Sequence, residues 1–276
     1  MKNIDIECCD GIKYLENIKS KSIDLILTDP PYIISHESGM NIHYNNVKNN
    51  QEKGGKNIKT EEEWNNFKNQ NNEQTYNEKQ HDNFLKYGSI YGKKYCVKTN
   101  YGDWDNDFTM NNLDIFIQKF YEKLRDGGTL IIWFDLWKIT ELKKIMEKNK
   151  FKQIRMIEWI KTNPQPLNQH TNYLTNCREI ALLGVKKGKP TFNSKYDNGI
   201  YFHPLQSGKN RFHPTQKSLT LFQEIIEKHS NVGDTILDTF LGAGTTAIAC
   251  NNTDRHFKGC EINNEYVDKI KNILNN

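Results

Sequence analysis

Asp29-Pro30-Pro31-Tyr32 directly follow an apolar run, Leu25-Ile26-Leu27, of strand character. Proline cannot continue a ladder and fixes φ, so the strand stops at a stiff rim carrying one carboxylate and one aromatic ring. A rigid acceptor beside a flat ring suits a planar group with an amino edge. The same Asp-Pro turn could also be punctuation between elements. A second stretch lies far downstream, where Asp234-Thr235-Ile236-Leu237-Asp238 reads as a short buried strand. It runs through Thr239-Phe240-Leu241-Gly242-Ala243-Gly244-Thr245-Thr246 into a helical Ala247-Ile248-Ala249-Cys250. Strand, glycine loop and helix form a nucleotide-handling order, because glycine admits a ligand close to the backbone and the helix start favours an anion. About twenty residues past the glycines, a further strand ends in Glu261, the usual place for a ribose-binding carboxylate. Glu261 could equally be a charge near the start of the next helix.

The elements that must position these groups alternate. Strands are predicted at 4–7, 24–28 and 129–134, with a pair at 154–160 and 179–185 forming one sheet edge. Helices are predicted at 11–18, 113–124, 136–149, 219–229, 246–251 and 265–274. Such alternation argues for an α/β fold with a mainly parallel sheet covered on both faces. A chain of 276 residues fits one large catalytic domain, 1–276. Residues 33–104 differ in kind: Asn, Gln, Lys, Tyr and Gly dominate and hydrophobic periodicity is poor. This long polar insertion is either a composition-biased mobile segment, chiefly over 45–80, or a flap leaving directly from Tyr32.

Six cysteines without C-x-x-C spacing indicate neither zinc nor a disulfide framework. No run is apolar and long enough to span a membrane, so a cytoplasmic setting, associated with the nucleoid through DNA, is expected. A net charge of +4 decides nothing by itself. A basic patch is more telling: Lys186, Lys187, Lys189, Lys195, Lys209 and Arg211 interleave with Phe192, Tyr196, Tyr201, Phe202 and Phe212. Such a stripe suits phosphate contacts, and a solvated surface loop is the alternative.

Together the motifs resemble the amino-methyltransferases of DNA that use S-adenosylmethionine. The order, Asp-Pro-Pro-Tyr first and the glycine loop near the C-terminus, resembles the permuted beta group of adenine-N6 and cytosine-N4 enzymes. Cys9-Asp10-Gly11 is similar to its N-terminal element, with Cys9 in place of a glycine. Asp126-Gly127-Gly128-Thr129-Leu130, Trp159-Ile160-Lys161-Thr162-Asn163-Pro164, Arg178-Glu179-Ile180 and His213-Pro214-Thr215-Gln216-Lys217 resemble further elements in register. The resemblance covers most of the chain outside 33–104. It implies a Rossmann-like methyltransferase fold with a seven-stranded sheet, one strand reversed, and the ligand at the switch point.

The resemblance also implies roles. Asp29 and the Pro30 carbonyl would bond both hydrogens of an exocyclic amine, whose lone pair is otherwise delocalised into the base, with Pro31 stiffening the turn. Tyr32 would stack on a base flipped out of double-stranded DNA. Asp10, Asp238, Phe240, Gly242, Gly244, Thr245, Glu261, His213 and Lys217 would line the cosubstrate site, Lys217 near the methionyl carboxylate. The segment 186–212, with its basic residues, would carry target recognition. No metal is required by direct transfer. Asp in the first motif position leans to adenine, whereas cytosine-N4 enzymes more often carry Ser there. An RNA methyltransferase or a non-catalytic DNA-binding subunit is the more distant alternative. A cognate restriction enzyme and a homodimer are possible partners.

Overall fold

Along Leu25-Ile26-Leu27 successive side chains point to opposite faces of a sheet, and all three are fully buried because helices cover both faces. The computed structural model describes residues 3–33, 59–70, 75–90, 108–164, 176–206 and 216–275. The chain divides into two compact units: Met1–Ile33 with Asp107–Asn276, and Ile34–Asn106.

Among the described residues the larger unit holds eight strands: β1 (Ile4–Cys8), β2 (Ile23–Thr28), β3 (Leu124–Phe134), β4 (Lys152–Lys161), β5 (Arg178–Val185), β6 (Ile200–His203), β7 (Thr235–Asp238) and β8 (His256–Glu261). They are ordered β1-β8-β7-β2-β3-β5-β4-β6. Only β5 is reversed, antiparallel to both β3 and β4, and the other pairings are parallel. The eighth strand is β6, a four-residue run in a polar stretch that sequence reading passed over. It pairs with β4, so the β4–β5 pair lies inside the sheet and not at its edge.

Helices α1 (Gly11–Asn17), α4 (Met110–Lys123) and α5 (Ile139–Lys148) cover one face. Tyr14, Leu15, Phe116, Ile117, Phe120, Leu142 and Met146 pack there on Ile26, Leu130 and Ile132. Helices α6 (Leu219–His229), α7 (Thr245–Asn252) and α8 (Asn264–Asn275) cover the other, where Phe222, Ile225, Ala247 and Ile270 pack on Leu25, Leu27, Ile131 and Trp133. The expected 136–149 helix is split: a 3-10 turn, Leu136–Lys138, precedes α5 because the Asp135 carboxylate accepts from the Trp137 N–H at 3.0 Å.

In the smaller unit, helices α2 (Glu61–Gln70) and α3 (Glu78–Tyr87) replace part of the irregular stretch expected over 45–80. Both start at reciprocal caps, Thr60 with Glu63 and Asn77 with Gln80. Buried Trp64 packs between them against Phe67, Tyr76, His81 and Phe84, with ring centroids 5.2–5.6 Å apart. Among the described residues, no helix is long and apolar enough to cross a membrane.

Candidate active site

Four adjacent parallel strands, β1, β8, β7 and β2, each deliver an acid to the same rim of the sheet: Asp10, Glu261, Asp238 and Asp29. In open α/β sheets the crevice outside the carboxyl ends of the strands is where ligands bind.

Asp29 leaves the end of β2, followed by buried Pro30 and half-buried Pro31 and Tyr32. Its Oδ2 accepts from the Lys217 ammonium at 2.9 Å, while its Oδ1 is buried and has no hydrogen-bond partner among the described residues. Tyr32 stands edge-on to Phe134, with centroids 6.1 Å apart, and its hydroxyl accepts from Lys217 at 3.1 Å. Lys217 sits two residues before α6, with only 7% of its side chain exposed, over the rings of Tyr32 and Trp133. Burial raises the Asp29 carboxyl above the usual range; Lys217 opposes that shift, and Glu179 adds to it. Burial would lower the Lys217 ammonium, but Asp29, Glu179 and Tyr32 carry it well above its ordinary value.

Two further residues, Glu179 and Lys161, belong to this cluster, although sequence reading gave them no role. Glu179 Oε2 accepts from Lys217 at 2.5 Å and its Oε1 from Lys161 at 2.7 Å. Burial would raise Glu179, yet the two lysines hold it below the ordinary carboxylate range. The available signal was a charged residue at the mouth of each of two neighbouring strands, since β5 begins where antiparallel β4 ends.

On the glycine-loop side, the Asp238 carboxylate is buried and fully engaged. It accepts from the Thr28 hydroxyl at 2.7 Å, the Phe240 N–H at 3.0 Å and the Thr246 hydroxyl at 2.6 Å. Burial pushes it up to about 6 despite these donors. Asp238 therefore fastens the loop to the strands through both of its oxygens. Phe240 packs on Phe116 with centroids 4.6 Å apart. Gly242, at φ 52°, donates its N–H to Glu261 Oε2 at 2.7 Å. Gly244 has φ 77°, and a Cβ there would meet Ile270 at 2.7 Å, so no other residue fits the turn into buried Thr245. Glu261 also accepts from the Asn263 N–H at 3.0 Å, and burial raises its carboxyl. Asp10 caps α1, accepting from Ile12 and Lys13 N–H at 3.0 and 3.1 Å.

The expected DNA stripe requires correction. Because β5 is reversed, it begins at the Asp29 rim and ends at the opposite one. Lys186 is buried there, its ammonium donating to the Leu124 carbonyl at 2.7 Å, so it cannot meet a phosphate. Lys187 and Lys189 are exposed but sit beside Gly127, at that same far rim. Lys195 follows Asn193, which bonds carbonyls at the C-terminal end of α6. Eleven helical residues span about 16 Å, and Lys217 is at the other end of α6. Lys209, Arg211 and His213 lie outside the described residues.

Comparison with known proteins agrees with this geometry. The DNA methylase family of N6 and N4 methyltransferases matches residues 23–272. Type II methyltransferase M2.MboI of Moraxella bovis is 28% identical over 288 residues, covering 98% of this chain and 87% of that protein. Type II methyltransferase M2.DpnII of Streptococcus pneumoniae is 26% identical, covering 94% of this chain and 84% of that protein. Among solved structures, M1.HpyAVI superposes with a TM-score of 0.59 at 26% identity, covering 99% of both chains. The cytosine-N4-specific PvuII DNA methyltransferase gives 0.64 at 14% identity, covering 100% of this chain and 92% of that one.

Proposed function

This chain belongs to the N6 and N4 family of DNA methylases and is an S-adenosylmethionine-dependent DNA methyltransferase; we propose that the atom it methylates is the exocyclic N6 of adenine. The observation that carries this reading is Asp29. One of its oxygens is held by Lys217 and the other is buried without a partner among the described residues, beside an aromatic ring. A buried acceptor left open costs free energy until a donor reaches it, and an amino group supplies that donor. Asp in this position, where cytosine-N4 enzymes more often carry Ser, favours adenine.

Asp29 Oδ1 would accept one amine hydrogen and the Pro30 carbonyl the other, drawing the nitrogen towards tetrahedral geometry and freeing its lone pair. Lys217 keeps Asp29 from turning away, and Tyr32 would cover the face of the flipped base, stacking worth about 1–3 kcal/mol. The groups along the rest of the rim fit the cosubstrate: the Glu261 and Asp10 carboxylates suit hydroxyl and amino donors, and Gly242 and Gly244 leave the loop backbone open to close approach. When bound, S-adenosylmethionine supplies an electrophilic methyl carbon on a sulfonium. The chain's own contribution is alignment, which lowers the barrier by fixing reactants at near-attack distance. The relatives' designation as Type II methyltransferases supports a place beside a restriction enzyme.

The test is incubation with S-adenosylmethionine and unmethylated duplex DNA, followed by digestion and mass spectrometry of the nucleosides. N6-methyladenine that disappears with Asp29→Ala is the expected result. N4-methylcytosine would move the substrate and refute the adenine assignment.

A further inference from the structure

Asp29 does not meet a single counter-charge. It ends a buried row that runs Asp29, Lys217, Glu179, Lys161, with successive separations of 2.9, 2.5 and 2.7 Å. The row crosses four elements: the turn after β2, the segment just before α6, and the facing ends of β5 and β4. Two carboxylates and two ammonium groups make it neutral, which is what permits four charges to lie so far from water.

A lysine bonded to Asp29 alone would be a poor neighbour for catalysis, since a full ion pair takes the electron density that the substrate amine must meet. Here the Lys217 ammonium is divided, and its shorter contact is to Glu179 and not to Asp29. Lys161 in turn steadies Glu179 from the other side and lies over the Trp159 ring.

We propose that Glu179, backed by Lys161, is a positioning residue for methyl transfer: it shares Lys217 with Asp29, so that Asp29 is not locked in a full ion pair and its free oxygen stays aimed at the amine. This rests on the assignment of Asp29 as the amine acceptor. The charged and titratable groups facing Asp29 are Lys217, Glu179, Tyr32 and, on the neighbouring strand, Asp238. Lys161 acts through Glu179.

Two substitutions change the charge of the row in opposite senses. Glu179→Gln is isosteric and removes a negative charge from the row; Lys217 then settles on Asp29. The single-turnover methylation rate is expected to fall by about 10²-fold, the scale of a small misplacement at a reacting centre. The acid limb of its pH profile should move to lower pH. Lys161→Met removes a positive charge and leaves Glu179 wholly to Lys217, so its acid limb should move to higher pH. Affinity for S-adenosylmethionine, measured by calorimetry, should be unchanged in both.

Rates are measured with tritiated S-adenosylmethionine and unmethylated plasmid DNA, after thermal melts show that each variant folds. Limbs that shift in the same direction, or a slower rate with no shift, would overturn the proposal and leave Glu179 a structural ion pair. Loss of S-adenosylmethionine affinity would also overturn it, by assigning Lys217 and Glu179 to the cosubstrate pocket. If the wild-type chain methylates no base, the failure lies with the Asp29 assignment itself.

Discussion

Asp238→Asn should make the larger unit more stable at neutral pH, and the gain should depend on pH in a stated direction. The Asp238 carboxyl is raised from an ordinary 3.8 to about 6, chiefly by burial, with three hydrogen-bond donors working against the shift. Between those two values the folded chain holds a proton that the unfolded chain has released. Stability therefore falls as pH rises through this window, and the cost is complete above about pH 6. Moving from 3.8 to about 6 corresponds to about 3 kcal/mol. Asparagine keeps the Oδ1 acceptor for Thr28 and Phe240 and turns the Thr246 hydroxyl from donor to acceptor, so the loop stays fastened without a buried charge. Urea unfolding from pH 4 to 7.5, followed by the fluorescence of buried Trp133 and Trp159, compares the two proteins at each pH. The wild-type midpoint should fall relative to the variant's by about 1 M across that range. Other groups titrate too, but most cancel in the difference. A difference that stays constant with pH would refute the reasoning, because it would mean that the three donors outweigh burial.

Asp29→Ala should lower methyl transfer by about 10²–10³-fold, the loss expected for one preorganised hydrogen-bonding group, with S-adenosylmethionine binding by calorimetry retained. Tyr32→Phe should keep the stacking face and lose the hydroxyl's contacts with Lys217 (3.1 Å) and Asp29, whereas Tyr32→Ala should also weaken DNA substrate binding by about 1–3 kcal/mol, read as the change in the dissociation constant. Neutralising Lys187 and Lys189 together should leave the slope of log affinity against log salt for duplex DNA unchanged, since both lie at the rim opposite Asp29; a slope reduced by about two would return them to the DNA face.

Most of the sheet was legible because β2, β3 and β7 hold apolar runs closed by Asp29, Asp135 and Asp238, and both patterns have local causes. What was missed had no local cause or was masked by composition. The helices α2 and α3 carry Asn, Gln, Lys and Glu on most positions, and low overall hydrophobicity hid them. Their starts were nevertheless written in the capping boxes Thr60-x-x-Glu63 and Asn77-x-x-Gln80. Strand β6 has too few residues to show an alternation. The lysines at the end of β5 lie away from the catalytic rim for another reason: charge composition carries no direction. Once β5 runs opposite to its neighbours, the strand that brings Glu179 to the catalytic rim takes Lys186, Lys187 and Lys189 to the far one.

The Asp29 turn and the glycine loop are 210 positions apart along the chain at their closest link, the bond from Thr28 to Asp238. Their partnership does not depend on which comes first, because β2 and β7 are hydrogen-bonded neighbours running the same way. Thr28 immediately precedes Asp29, and Asp238 precedes Phe240 and the glycines, so a single buried bond fixes the acceptor relative to the loop. The same carboxylate anchors α7 through Thr246. Any order of segments that placed these two strands side by side would give the same relation between amine acceptor and cosubstrate loop. The geometry of the rim, and not the order of motifs along the chain, is therefore the unit that carries the chemistry.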